Sequence, residues 1–308
     1  MQLPLRLLPS LKESVRAQIF RVDELSGGRP LAFVLHSVFG RLDLFSKLRL
    51  DERVVVELAH ALDSGYTARE TATYHNNLHG ADTVQAMCFF ITNFLAGSLV
   101  DTEMFAAILA AAMHDLDHPA VSNSFHVETS TEHAMLYNDQ SVNENHHLTS
   151  GFRILGEHPI ISHLCKADRK GIRAMVIRLV LATDLASHFD YISSMTIKLD
   201  SAEGAAGSRS SSPSGPAAML AENDEGMLLM ELAIKMSDVA NGARATSLYS
   251  KWSSMVFNEF YKQGDMEKEA GQPISAFMDR EEKDKEPKCQ ASFLQCEFSI
   301  VHSFFCFV

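Results

Sequence analysis

Paired cysteines are the first thing this sequence does without. Its five cysteines, Cys88, Cys165, Cys289, Cys296 and Cys306, form no CxxC pair and keep no regular spacing. That argues against a disulfide framework or a zinc ribbon and suits a reducing compartment. Basic charge is also short: 27 Lys and Arg stand against 39 Asp and Glu, a net charge of −12. A nucleic-acid binder needs a basic stripe to displace phosphate counterions, so no nucleic acid is expected as a partner. An acidic protein that takes an anionic substrate needs a local positive element, which metal ions can supply. Apolar runs are too short or too interrupted to span a membrane. The first twenty residues lack an apolar stretch with a small-residue cleavage site, and Glu13 speaks against a transit peptide. The expectation is a soluble, cytoplasmic protein.

Alternating strand patterns are scarce, which leaves helix as the main element. With 308 residues and 46% apolar content there is ample core for one large helical domain or two small ones. Residues 102–113 (TEMFAAILAAAM) are rich in Ala, Leu and Met and read as a buried helix. Residues 173–182, 226–236 and 251–261 carry apolar side chains at three- and four-residue spacing. The fold class is therefore all-α. Residues 201–218 (SAEGAAGSRSSSPSGPAA) have no core-forming pattern and read as a surface insertion within one domain. Residues 293–308 are strongly apolar and stop abruptly, so that face needs a partner.

Fourteen histidines are present, and several fall in tight groups. In YHNNLHGAD (residues 74–82), His75 and His79 are four apart, so on a helix they share one face. HxxxH alone is a weak signal, since two half-buried histidines read the same way. HDLDHP (residues 114–119) closes the Ala-rich helix. Two histidines and two carboxylates there would be costly to bury unless paired or metal-bound. Imidazole with carboxylate suits zinc or another transition metal, and carboxylate with water suits magnesium or manganese. A polar turn at a helix end is the plainer alternative. Asp238, in KMSDVAN, would alone be a cap or turn residue and gains weight only beside the other two groups.

The order H…HD…D is that of the HD-type metal hydrolases. YHNNLHGADTVQ, HDLDHPAVSNSF, LYNDQSVNENHHLTSGF, VLATD, KMSDVAN, LYSKW and FYKQGDMEKEAG narrow the likeness. In order and spacing they resemble the class I cyclic nucleotide phosphodiesterases, from about Ile19 to Phe293. YHNN, NDQSVNENHH and LSGGRP are most similar to the cyclic-AMP-specific branch. The resemblance implies a compact multi-helix catalytic domain over residues 19–293, interrupted by the 201–218 insertion. An N-terminal extension (1–18) would precede it and a divergent apolar tail (294–308) would follow.

It further implies a zinc held by His79, His114, Asp115 and Asp238. Asp115 would be shared with a second metal, magnesium or in its place manganese, whose waters His118, Glu144 and Thr183 would bind. A bridging hydroxide would attack phosphorus, His75 would protonate the leaving O3′ as general acid, and Glu259 would orient that histidine. Gln290 would hydrogen-bond the purine, with Phe293 and Val256 pressing its two faces and Asn241 contacting adenine. Tyr74, Tyr249, Trp252 and Phe260 would line the walls. The implied reaction is hydrolysis of 3′,5′-cyclic AMP to 5′-AMP; a dual cyclic AMP and cyclic GMP enzyme is the alternative.

Several positions depart from the family pattern. Gly80 and Ala120 stand where relatives often have alanine and glycine, small exchanges expected to be tolerated. Gly242 replaces a usual proline, which would loosen the loop after Asp238. Ala276 and Phe277 replace proline and methionine near the expected pocket mouth. After Phe293 the likeness fades, which reads as a catalytic domain cut short. That leaves two other readings, a metal-binding product without activity and an HD-type hydrolase of another nucleotide; KMSDVAN, QGD and Gln290 speak against the last. The apolar tail offers a surface for a homo-oligomer or for membrane contact.

Overall fold

The computed structural model describes residues 18–194, 197 and 223–295. Most of the N-terminal extension, the 201–218 insertion and the tail from residue 296 lie outside these residues. Twelve helices carry the architecture: α1 Ile19–Ser26, α2 Pro30–Arg41, α3 Leu44–Lys47, α4 Glu52–Gly65, α5 Asn77–Asn93, α6 Asp101–Met113, α7 Asn123–Glu128, α8 Glu132–Tyr137, α9 Val142–Glu157, α10 Lys166–Ala182, α11 Asn223–Asp238 and α12 Thr246–Glu269. A further helical stretch covers residues 286–295. Among the described residues there is no strand, so the fold is all-α, as expected. No helix among them is long and apolar enough to cross a membrane.

α6 is the axis of the core. Every side chain from Phe105 to Met113 is buried, and most are alanine, which lets neighbouring helices approach closely. α5, α10 and α11 pack around it, with α2 covering α5 from the far side. Three of these helices deliver chemistry at one end: α5 through His79, α6 through His114 and Asp115 just past its last turn, and α11 through Asp238.

Local signals place these ends. Gly27 and Gly28 adopt positive φ and stop α1, and Pro30 opens α2 at a position that needs no N–H, which accounts for LSGGRP. Asn76 caps α5: its Oδ1 accepts from the Leu78 N–H at 3.0 Å, and its amide donates to the Ala72 and Thr73 carbonyls. Asn77 donates to Asp63 and to the Gly28 carbonyl. Arg69 grips Asn77 and also makes two 2.7 Å bonds to Asp23 of α1. The YHNN motif is thus the fastening of the helix that aims His79.

Gly80 lies in a close approach. A Cβ there would lie 2.5 Å from the Tyr66 hydroxyl oxygen, which donates to the Ala112 carbonyl inside the core. Alanine at 80 would therefore require a buried tyrosine to move, whereas the glycine present fits against it. Ala120, by contrast, holds φ at 62°, a conformation that glycine adopts without strain.

Candidate active site

Four atoms converge where α5, α6 and α11 end. His79 Nε2 lies 3.0 Å from Asp238 Oδ1 and 3.2 Å from Asp115 Oδ2. His114 Nε2 lies 3.3 Å and 3.2 Å from the same two oxygens and 3.2 Å from His79 Nε2. Neighbouring ligands of a metal with bonds of about 2.0–2.2 Å stand roughly 2.9–3.5 Å apart, so these spacings fit the edges of one coordination shell. The tautomer of His114 fits too. Its Nδ1 faces the Ala111 carbonyl at 2.9 Å and carries the proton, which leaves the Nε2 lone pair for a cation. Burial opposes charge on His114, yet Asp115 and Asp238 hold its pKa well above the usual range. The site attracts positive charge, and the four residues could hold a metal ion.

A second group shares Asp115. His118 and His147 stand with it close enough to hold one ion. His147 was not singled out by the sequence, although it is the second histidine of NENHH. It is buried, its Nδ1 bonds the Leu116 carbonyl at 2.7 Å, and its Nε2 lies 3.7 Å from Asp115 Oδ1. Burial pushes its pKa down to about 3, so it is a neutral ligand or hydrogen-bond partner. His118 accepts the Ala120 N–H on Nδ1 at 2.9 Å, which leaves its Nε2 as the protonated nitrogen. Glu144 accepts from Asn123 at 3.0 Å; burial, with Asp184 nearby, pushes its pKa up to about 7. Thr183 donates its hydroxyl proton to the Val180 carbonyl, so its oxygen faces outward as an acceptor.

His75 lines the same cavity as the carboxylates, its ring centroid 5.9 Å from that of His79. Its Nδ1 bonds Glu259, whose other oxygen accepts the Tyr74 and His75 N–H groups at 2.8 and 3.2 Å. The ring stacks on His118 with centroids 4.1 Å apart. Burial works against charge on His75, but Glu259 and the two metal-side aspartates outweigh it and push its pKa up to about 9.

These groups open into one cavity of about 490 Å³. Every residue expected at the site lines it except His79 and His114, which lie behind Asp115 and Asp238. Tyr74, Tyr249, Val256, Phe260 and Phe293 give it aromatic and apolar lining, and Asn241 and Gln290 add amides to it. Trp252 is almost wholly buried, packed against Tyr74 and Phe20 with centroids 5.7 and 5.1 Å away, so it backs the wall. The Tyr249 hydroxyl donates to Gln290 Oε1, and the Asn241 amide donates to the Tyr74 hydroxyl at 2.5 Å.

Gln263 and Gly264 explain QGD. The Gln263 amide ties Ser122 to Glu267, and Glu267 accepts both the N–H and the hydroxyl of Ser275. A Cβ on Gly264 would lie 2.0 Å from the Met278 carbonyl oxygen. The chain running on toward Gln290 therefore rests directly on the α12 backbone. Gly264→Ala is expected to push that segment outward, costing about 1–3 kcal/mol of stability, which thermal melting checks.

A family model described as 3′5′-cyclic nucleotide phosphodiesterase matches residues 74–305. The chain belongs to this family. The match continues past Phe293, where the sequence placed the end of the likeness. The chain is 35% identical over 280 residues to the 3′,5′-cyclic-AMP phosphodiesterase 4C of Mus musculus, covering 90% of this chain and 39% of that protein. It is 34% identical over 266 residues to the dual specificity calcium/calmodulin-dependent 3′,5′-cyclic nucleotide phosphodiesterase 1C of Homo sapiens, covering 85% and 35%. It thus spans well under half the length of these relatives. Among solved structures, the phosphodiesterase domain of the RhoPDE fusion protein from the choanoflagellate Salpingoeca rosetta superposes with a TM-score of 0.79 at 25% identity, covering 90% of this chain and 85% of that one.

Proposed function

We propose that this chain hydrolyses 3′,5′-cyclic AMP to 5′-AMP. The observation that carries the reading is the juxtaposition of a carboxylate-backed His75 with a four-ligand cluster at one cavity. Zinc suits the mixed nitrogen and oxygen set of His79, His114, Asp115 and Asp238. Magnesium, or manganese in its place, suits the oxygen-rich side of Asp115, where His118, Glu144 and Thr183 can hold its waters. Such cations, when bound, lower the pKa of water and draw charge from phosphoryl oxygens.

The residues of this chain then divide the work. Water oxygen joins phosphorus as the bond to O3′ breaks. His75, with Nδ1 engaged by Glu259, offers its Nε2 proton to that leaving oxygen, giving a 3′-hydroxyl and a 5′-phosphate. Phe293 and Val256, both lining the cavity, would flank a flat base, and Gln290 would meet its edge.

The preference for adenine rests on Asn241. Its amide nitrogen is engaged by the Tyr74 hydroxyl, which leaves its Oδ1 as the acceptor it can offer, and Asn241 lines the cavity. That acceptor suits the exocyclic amine of adenine and repels the carbonyl of guanine. The test is direct: purify the chain, measure bound zinc, and follow both cyclic nucleotides with added magnesium. Cyclic AMP should be turned over with the higher kcat/KM. Equal turnover of cyclic GMP would make it a dual enzyme, turnover only of acyclic nucleotides would make it another HD-type hydrolase, and zinc without turnover would leave only metal binding.

A further inference from the structure

We propose that Arg244 and Asp82 form a positioning clamp that holds Asn241 against the nucleotide base and so sets the preference for cyclic AMP. This rests on the cavity being a cyclic nucleotide site.

Asn241 sits in the short turn Ala240–Ala243, between the end of α11 at Asp238 and the start of α12. In the turn the Gly242 N–H donates to the Val239 carbonyl and the Arg244 N–H to the Asn241 carbonyl, both at 3.1 Å. Gly242 adds no ring constraint of its own, so side-chain contacts add to the stiffness of the turn.

Arg244 supplies it. Its Nη2 bonds Asp82 Oδ1 at 2.6 Å, and the Asp82 side chain is only 3% exposed. A buried carboxylate needs a charged or hydrogen-bonding partner, which ties the turn firmly to α5. Asp82 lies one turn beyond His79 on the same helix. The contacts close a circuit: Asp82 to Arg244, Arg244 to Asn241, Asn241 to the Tyr74 hydroxyl at 2.5 Å, and Tyr74 onto the His79 ring with centroids 4.6 Å apart. The amide that meets the base is thereby referenced to the helix that carries a metal-cluster histidine. Base and phosphate ends of the substrate are spaced by one rigid element.

Five variants test the clamp. Arg244→Leu breaks it but strands a buried charge, so the neutral pair Asp82→Asn with Arg244→Gln is measured beside it. Both should keep zinc, raise the KM for cyclic AMP about tenfold with kcat within about twofold, and lower the cyclic AMP to cyclic GMP ratio of kcat/KM by about as much. Arg244→Lys should recover most of the loss. Adding Arg244→Leu to Asn241→Ala should change neither KM nor the ratio further, because both act through one amide. An unchanged KM and ratio with only a lower melting temperature would make the pair structural and overturn the proposal. Additive effects with Asn241→Ala would overturn it as well. A wild-type chain without turnover of either cyclic nucleotide overturns the function itself, and the clamp with it.

Discussion

His75→Asn is expected to leave zinc content unchanged and to cut kcat for cyclic AMP by about 10²–10⁴-fold. Asparagine is close in size and can still bond Glu259, so the wall of the cavity stays in place while its acid is gone. His75 holds no place among the four clustered ligands, which is why metal is retained. The pH profile gives a second measure. The acid acts while protonated, so activity is present below its pKa and is lost as pH rises through it. That pKa stands at about 9 with Glu259, Asp115 and Asp238 all pulling upward against burial. Cations bound beside the two aspartates cancel their share, so the alkaline limb of kcat/KM falls below pH 9. Glu259→Gln removes the remaining support and moves the limb lower still. Loss of zinc in His75→Asn, or an unmoved limb in Glu259→Gln, would end this assignment.

Asp115→Ala is expected to empty the site. Asp115 Oδ2 stands 3.2 Å from both clustered imidazole nitrogens, and Oδ1 faces His147. One truncation removes the carboxylate that both ligand groups share. Zinc should fall from stoichiometric to trace, and turnover by more than about 10⁴-fold, beyond the loss at His75 because nothing remains to acidify water or neutralise phosphate. Melting temperature separates metal loss from misfolding. A chelator should lower it for the wild type, since a ion bound only by the folded state stabilises that state, and should leave Asp115→Ala where it was. Full zinc occupancy in Asp115→Ala would refute the shared-ligand reading.

The parts of the site legible in the sequence are those whose chemistry is local. HDLDHP packs four ionisable groups behind an Ala-rich helix, and such a cluster announces itself. The helices were legible for the same reason, since α6 and α11 carry their burial pattern in consecutive residues. What escaped depends on contacts far apart in the chain. His147 matters because it meets the Leu116 carbonyl and Asp115, and nothing in NENHH alone says which histidine turns inward. Gly80 is required by Tyr66 and Gly264 by the Met278 carbonyl, each a close approach that spacing cannot encode. Arg244 and Asp82 are 162 residues apart. Side chains that bind metal are chosen by type, whereas those that position other groups are chosen by shape, and only the first leaves a motif.

Trp252 has a practical consequence. It is the single tryptophan of the chain, and it lies between Phe20 of α1 and the Tyr74 and His79 rings beside the ligand cluster. Its ultraviolet emission therefore comes from one known place, unmixed with any other indole. The His79 ring centroid lies 6.2 Å from that of the indole, so a cation loaded on the cluster would change the charge beside it. The protein carries its own optical gauge of occupancy, readable without a label.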